Sequence, residues 1–153
     1  MKVDLLNQFA SLSYDLYTTD FILEEVNQKQ KEKINKVISD DKIILIITSQ
    51  IEDFQGIYDL LAISSGLSFE DCSVWYYSKK MDGTLITGDR KLRKIVERNE
   101  IEVRGIIFIL DEILSQGLIS FDIAIEKIKL LYKINDRLPQ KELVKRLELW
   151  KSK

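Results

Sequence analysis

A chain of 153 residues, 45% hydrophobic and 31% charged with a net charge of −2, suits one globular domain with a real core. It contains no histidine, which excludes Ser-His-Asp and Cys-His triads, histidine-built zinc sites and histidine general bases. Its single cysteine excludes an internal disulfide and suits a reducing cytoplasm, while its longest apolar runs are far too short to span a bilayer and no signal peptide opens it.

Helical and strand periodicities alternate along the chain. Residues 5–12 have a helical pattern, and 14–18 are a short strand candidate. Thr18 or Thr19 caps the next helix, with Asp20 in its first turn, and that helix is expected to pass Glu24 and Glu25 and reach Ile38. Residues 42–48 are β-branched and leucine-rich, which predicts a strand buried on both faces. A helix near 54–63 follows, broken by Ser64, Ser65 and Gly66, and Ser68 with Asp71 resembles a capping box. A strand over 84–87 leads into a basic helix over 90–98, then a short strand near 102–104. Gly105 turns the chain into an apolar helix over 106–114, which Gly117 ends. Two helices remain, over 120–133 and 139–151, with the only proline, Pro139, near the first turn of the last. No repeat, low-complexity tract or linker interrupts this order. The pattern predicts a single α/β domain, with residues 1–116 as its core and 117–153 as a C-terminal helical pair.

Two aspartates stand out as buried-looking. Asp71 lies in the first turn of a helix whose same face continues through Val74, Trp75 and Ser78. A carboxylate in line with apolar groups is desolvated unless a cap, a cation or a metal compensates, though a first-turn aspartate serving the helix dipole is equally ordinary. Asp89 sits where a strand ends and a basic helix begins, after Gly88, a position that faces the ligand crevice in open α/β sheets. As a plain N-cap it satisfies the same geometry. Two such carboxylates begin a site for a hard divalent cation. Of Glu24 and Glu25, one is expected to point inward and the other toward solvent.

Arg90, Lys91, Arg93, Lys94 and Arg98 follow Asp89 on one short helix. Residues 39–82 hold eight acids against three lysines, and residues 129–153 hold eight Lys/Arg against three acids. Such a division suits a metal site beside a phosphate-tracking surface, and solvated helix faces produce it as well. Trp75, Tyr76 and Tyr77 fit core packing better than base stacking. Cys72 has no histidine to activate it and reads as a small buried residue.

Taken together, TTDFILEEV, LSFEDCS and LITGDRKLRKIVERNEIEVRG resemble the PIN domain family, which includes VapC-like toxins and RNA-processing nucleases. The resemblance covers most of the chain, and the third segment is the most specific. INDRLPQKELVKRLELW is similar to the tail of a subset of prokaryotic PIN-like proteins. The family's fold implies a three-layer α/β/α domain with a mostly parallel central sheet and a helical C-terminal tail. Its pattern implies Glu25 (in preference to Glu24), Asp71 and Asp89 as catalytic ligands of Mg²⁺ or Mn²⁺, with Arg90, Lys91, Arg93 and Lys94 on RNA phosphates. It also implies a cytoplasmic endoribonuclease, the toxin of a toxin–antitoxin pair, with an antitoxin and a homodimer as partners and no membrane.

The chain departs from the family at its start. A PIN domain opens with a central strand ending in a fourth acid, whereas MKVDLLNQFASL matches the later part of the family's first helix. Asp4 reads as a helix-start residue and not as that acid. A start codon placed downstream of the true one, or a natural truncation, accounts for the difference. The alternatives are a non-catalytic PIN-like protein-binding module or fragment, and a receiver-like phosphoacceptor, which lacks its acidic pair here.

Overall fold

The computed structural model describes residues 4–135 and 138–152. It forms two compact units, one of residues 14–106 and one of the described residues before 14 and after 106. A single turn, α1 (Leu6–Phe9), opens the described chain. Residues 14–106 then carry β1 (Tyr17–Thr19), α2 (Asp20–Glu25), α3 (Gln28–Ser39), β2 (Ile44–Ile46), α4 (Ile51–Ile63), α5 (Phe69–Lys80), β3 (Leu85–Ile86), α6 (Arg90–Glu97) and β4 (Val103–Arg104). Three helices follow: α7 (Ile106–Ser115), α8 (Phe121–Ile134) and α9 (Gln140–Lys151).

Thr19 ends β1 and caps α2 with its hydroxyl oxygen, which accepts from the Ile22 N–H at 3.4 Å. The helix expected to continue to Ile38 is broken. Val26 is extended, and Asn27 starts α3 with a reciprocal capping box to Gln30, at 3.0 and 3.1 Å. An asparagine side chain that satisfies backbone donors locally competes with an uninterrupted helix. The first strand lies at 17–19, later than the expected 14–18. Helix α4 starts at Ile51, ahead of the expected residue 54.

Among the described residues the paired strands are parallel, as an α/β order suggests, and they form two separate two-stranded sheets where one sheet was expected. In the first, Tyr17, Thr18 and Thr19 pair with Ile44, Leu45 and Ile46; in the second, Leu85 and Ile86 pair with Val103 and Arg104. The expectation that residues 42–48 are buried on both faces fails: Ile44 is 47% and Ile47 67% exposed. Helix α5 packs on β1 and β3, and the apolar run of β2 keeps residues open to solvent.

The core of this unit gathers around α5 and α6. Cys72, Trp75 and Tyr77 are buried with Ile57, Leu85, Leu92 and Val96. Leu92 and Val96 stand one helical turn apart and turn the apolar stripe of α6 inward. Tyr76 is half-buried, and these aromatics serve packing, as their spacing suggested.

A polar chain crosses this core. Buried Asp53 accepts from the hydroxyls of Tyr76 (2.7 Å) and Tyr77 (3.4 Å) and from the ammonium of Lys80. Tyr77 also meets the Thr48 hydroxyl at 3.1 Å, and Asp20 accepts from the Thr48 N–H at 3.2 Å. Asp20 therefore ties the end of β1 to the residues after β2.

In the other unit, Gly117 takes φ +70° after α7, a conformation that glycine adopts without a Cβ penalty. Ser120 caps α8, Pro139 stands at the N-cap of α9, and Leu143 and Trp150 are buried. Arg146 grips both carboxylate oxygens of Asp111 from its Nε at 2.8 Å and reaches Glu142 at 2.8 Å, so part of the basic C-terminal charge is spent on internal pairing. Asp4 stands directly before Leu5, the N-cap of α1, which makes no side-chain cap bond. In the tail segment, Asp136 and Arg137 lie outside the described residues. Among the described residues, no helix is long and apolar enough to cross a membrane.

Hydrogen bonds from Lys80 and Tyr76 hold the Asp53 carboxyl below its ordinary pKa. A depressed carboxylate pKa contributes stability above the unfolded-state value and loses it as pH falls through the folded-state value. Asp53→Asn is expected to be less stable than the parent at pH 7. That difference should begin to narrow as pH falls below about 4, where the unfolded chain's carboxyl protonates, and close only below the lower folded-state value. Urea unfolding from pH 3 to 7 reads the difference, and a constant gap across the range would refute the ionised network.

Candidate metal and nucleic-acid site

Asp71 is half-buried, and its carboxylate does what its sequence position suggested. Ser68 and Asp71 form a capping box: the Asp71 N–H donates to the Ser68 hydroxyl at 3.0 Å, and the Ser68 N–H donates to Asp71 Oδ2 at 3.2 Å. Asp89 is exposed, which corrects its buried-looking reading, because it projects from the turn after β3 as the N-cap of α6. Its Oδ1 accepts from the N–H groups of both Lys91 (2.8 Å) and Leu92 (2.7 Å). Its own N–H donates to the Thr87 hydroxyl at 3.0 Å. In both aspartates the cap engages one oxygen and orients the other.

Glu24 and Glu25 do not divide into an inward and an outward residue, since both are exposed at the end of α2. Their surroundings differ. Glu24 pairs with Lys31 at 2.5 Å, across the break between α2 and α3. The Glu25 carboxyl has a raised pKa, first because its surroundings partly exclude water, then because Glu70 and Asp71 repel its charge. Glu70 was not singled out from sequence. Its signal was its place beside Asp71 in the acidic first turn of α5.

The basic helix divides as well. Arg93 donates to the Val103 carbonyl at 3.1 Å, to the Thr87 carbonyl at 3.4 Å and to Glu97 at 3.1 Å. Its guanidinium thus clamps the ends of β3 and β4 together. Lys91 extends over Gly66, whose φ is +77° and whose missing side chain leaves that space to the ammonium. This contact brings the first turn of α6 against the loop that starts α5. Lys94 is exposed. Cys72 is fully buried, and burial pushes its thiol pKa up, so it stays protonated and inert.

Among the described residues, no three acid or cysteine side chains are gathered closely enough to hold a cation. Glu25 and Asp71 share an electrostatic field, but the expected convergence of Glu25, Asp71 and Asp89 is not assembled. The donors are all carboxylate oxygens, the kind a hard divalent cation takes, and Asp71 and Asp89 each keep one oxygen outside their caps. In chemistry, the set fits such an ion.

Parallel strands alternating with helices define an α/β protein, and carboxylates stand at the starts of α5 and α6. The sequence profile of the PIN domain matches residues 1–152, and the chain belongs to the PIN domain family, a nuclease superfamily. Neither a curated relative nor a solved structure matches the chain.

A carboxylate with a raised pKa is destabilising when ionised and ceases to be so as pH falls below its folded-state value. Glu25→Gln is therefore expected to raise the melting temperature at pH 7 and to lose that advantage at pH 4. Mn²⁺ should raise the melting temperature of the parent by favouring the ionised cluster, and Asp89→Asn should shrink that rise. An equal rise in Asp89→Asn would assign the metal to other ligands.

Proposed function

We propose that this PIN domain protein is a Mg²⁺- or Mn²⁺-dependent endoribonuclease, the toxin of a prokaryotic toxin–antitoxin pair acting in the cytoplasm. The observation that carries the reading is the pair of capped aspartates in a PIN-family chain: Asp71 and Asp89 each commit one oxygen to a helix start and hold the other outside it. Glu25, Asp71 and Asp89 would hold the cation, which lowers the pKa of a bound water and offsets charge on the scissile phosphate.

Arg90, Lys91 and Lys94 lie beside Asp89 and supply positive charge along an RNA backbone. Arg93, also expected on phosphate, is already engaged by two carbonyls and Glu97, so its share in RNA binding is smaller than that of Lys94. The antitoxin and a homodimer are the partners this reading implies. A second reading, a PIN-like module that binds protein without cleaving RNA, is favoured by the absence of a gathered three-acid group among the described residues.

The test separates the two. The 153-residue chain is expected to cleave single-stranded RNA weakly or not at all with Mn²⁺ present. The same chain preceded by an apolar strand ending in aspartate should cleave it in an EDTA-sensitive way. Asp71→Asn in the longer protein should reduce the rate by orders of magnitude. Inertness of the longer protein with all four acids present would favour the binding module. Full activity of the 153-residue chain would instead require a fourth ligand from within it, with Asp4 or Asp20 the residues to reconsider.

A further inference from the structure

We propose that the buried hydroxyl pair of Thr19 and Ser73 positions Glu25 against Asp71 and thereby sets the cation affinity of the carboxylate site. This role rests on the metal reading above and deepens it. Glu25 ends α2 and Asp71 stands in the first turn of α5, and the two helices pack on each other. Whatever locks one helix to the other therefore locks the two carboxylates. The Thr19 and Ser73 hydroxyls lie 3.0 Å apart, and the two residues are 2% and 0% exposed. Thr19 is the N-cap of α2, and Ser73 stands on α5 just beyond Asp71.

A count of protons gives the pair a direction. Each hydroxyl carries one proton and two lone pairs. Ser73 donates its proton to the Glu70 carbonyl at 2.7 Å, so toward Thr19 its oxygen can only accept. The Thr19 oxygen accepts from the Ile22 N–H at 3.4 Å, which leaves its own proton for Ser73. The bonds thus run one way, from the backbone of α2 through both hydroxyls to the backbone of the first turn of α5. Hydrogen bonds constrain angle as well as distance.

Glu25 is held from the far end of its helix. Val26 is extended, so no continuous helix runs from Glu25 into α3. Of the Glu24–Lys31 pair that spans the break, the Glu24 side chain is 75% exposed, and a pair of that kind contributes little. The N-terminal end of α2 has buried anchors instead. Beside Thr19, Asp20 accepts from the Thr48 N–H at 3.2 Å and from the Thr48 hydroxyl at 3.4 Å, and Tyr77 of α5 donates to that same hydroxyl at 3.1 Å. With six residues α2 is about 9 Å long, short enough to carry the setting of its first turn to Glu25. A cation that demands near-octahedral geometry responds to a ligand displaced by about 0.5 Å. Thr19 and Ser73 are positioning residues, acting through Glu25 without touching the cation.

Mn²⁺ is the probe, titrated into the 153-residue chain and followed by the electron paramagnetic resonance signal of the free ion. Only binding that Asp71→Asn removes is counted. Ser73→Ala breaks the tie while leaving the Thr19 cap and a good helix former in α5, and it should weaken that binding about tenfold. Thr19→Ser retains both bonds and should bind as the parent does. Combining Ser73→Ala with Glu25→Gln separates positioning from general loosening: a residue that acts through the Glu25 carboxylate has nothing more to lose once that carboxylate is gone. Ser64→Ala removes another buried hydroxyl of this unit and should leave Mn²⁺ binding unchanged. If Ser73→Ala fails to fold by circular dichroism, Ser73→Cys makes the same test with a weaker hydrogen-bonding group. Parent-like binding by Ser73→Ala, a further loss of the same size in the Glu25→Gln background, or an equal loss in Ser64→Ala overturns the positioning role and leaves the metal reading standing. Absence of any Mn²⁺ binding that depends on Asp71 would sink the metal reading itself, and the positioning role with it.

Discussion

Burial of α5 is the constraint on which the described parts of residues 14–106 depend. Cys72, Ser73, Trp75 and Tyr77 point to different sides of one helix, and all four are buried. A surface helix carries one apolar stripe, whereas a helix buried all round must find partners for every polar group it brings inward. Ser73 meets that demand with Thr19 on β1 and with the Glu70 carbonyl, and Tyr77 meets it with Thr48 and Asp53. Those same bonds fix α2, α4 and the end of β2 around α5. Removing a partner would strand a buried polar group, at a cost of about 1–3 kcal/mol.

The start of α5 has to be ended in a way compatible with that burial. Ser68 and Asp71 satisfy each other's backbone donors, so two of the N–H groups at the helix start have side-chain partners. Asp89 does the same for α6 with a single oxygen. A cap of this kind fixes the carboxylate's rotamer, and its second oxygen is then aimed by the helix start instead of wandering. Structural capping and cation binding are therefore compatible uses of one side chain. The choice posed at the sequence level, between cap and ligand, was too sharp.

Much of this was legible in the residues. The Ser68–Asp71 box, the Asp89 cap, the Thr19 cap, the parallel α/β class and the apolar stripe of α6 all follow from short-range chemistry visible in the chain. What failed depended on competition or on distant neighbours. The break at Val26–Asn27 was hidden because the acids and apolar residues before it continue a helical period, and only the Asn27–Gln30 spacing marks a new start. The burial of 42–48 was inferred from apolarity, but covering both faces of a strand requires helices and neighbours that composition does not locate. Asp53 went unnoticed because its partners are 23, 24 and 27 residues away. Arg93 looked like a phosphate ligand because nothing local announces that two strand-end carbonyls lie within its reach.

The separation of the sheets bears directly on the scattered acids. Glu25 belongs to α2, which continues from β1, whereas Asp89 caps α6, which continues from β3. The distance between these two carboxylates is therefore governed by the distance between two strands that share no hydrogen bond. Asp71 belongs to the helix that both strands touch, so it keeps its electrostatic contact with Glu25 across the α2–α5 packing.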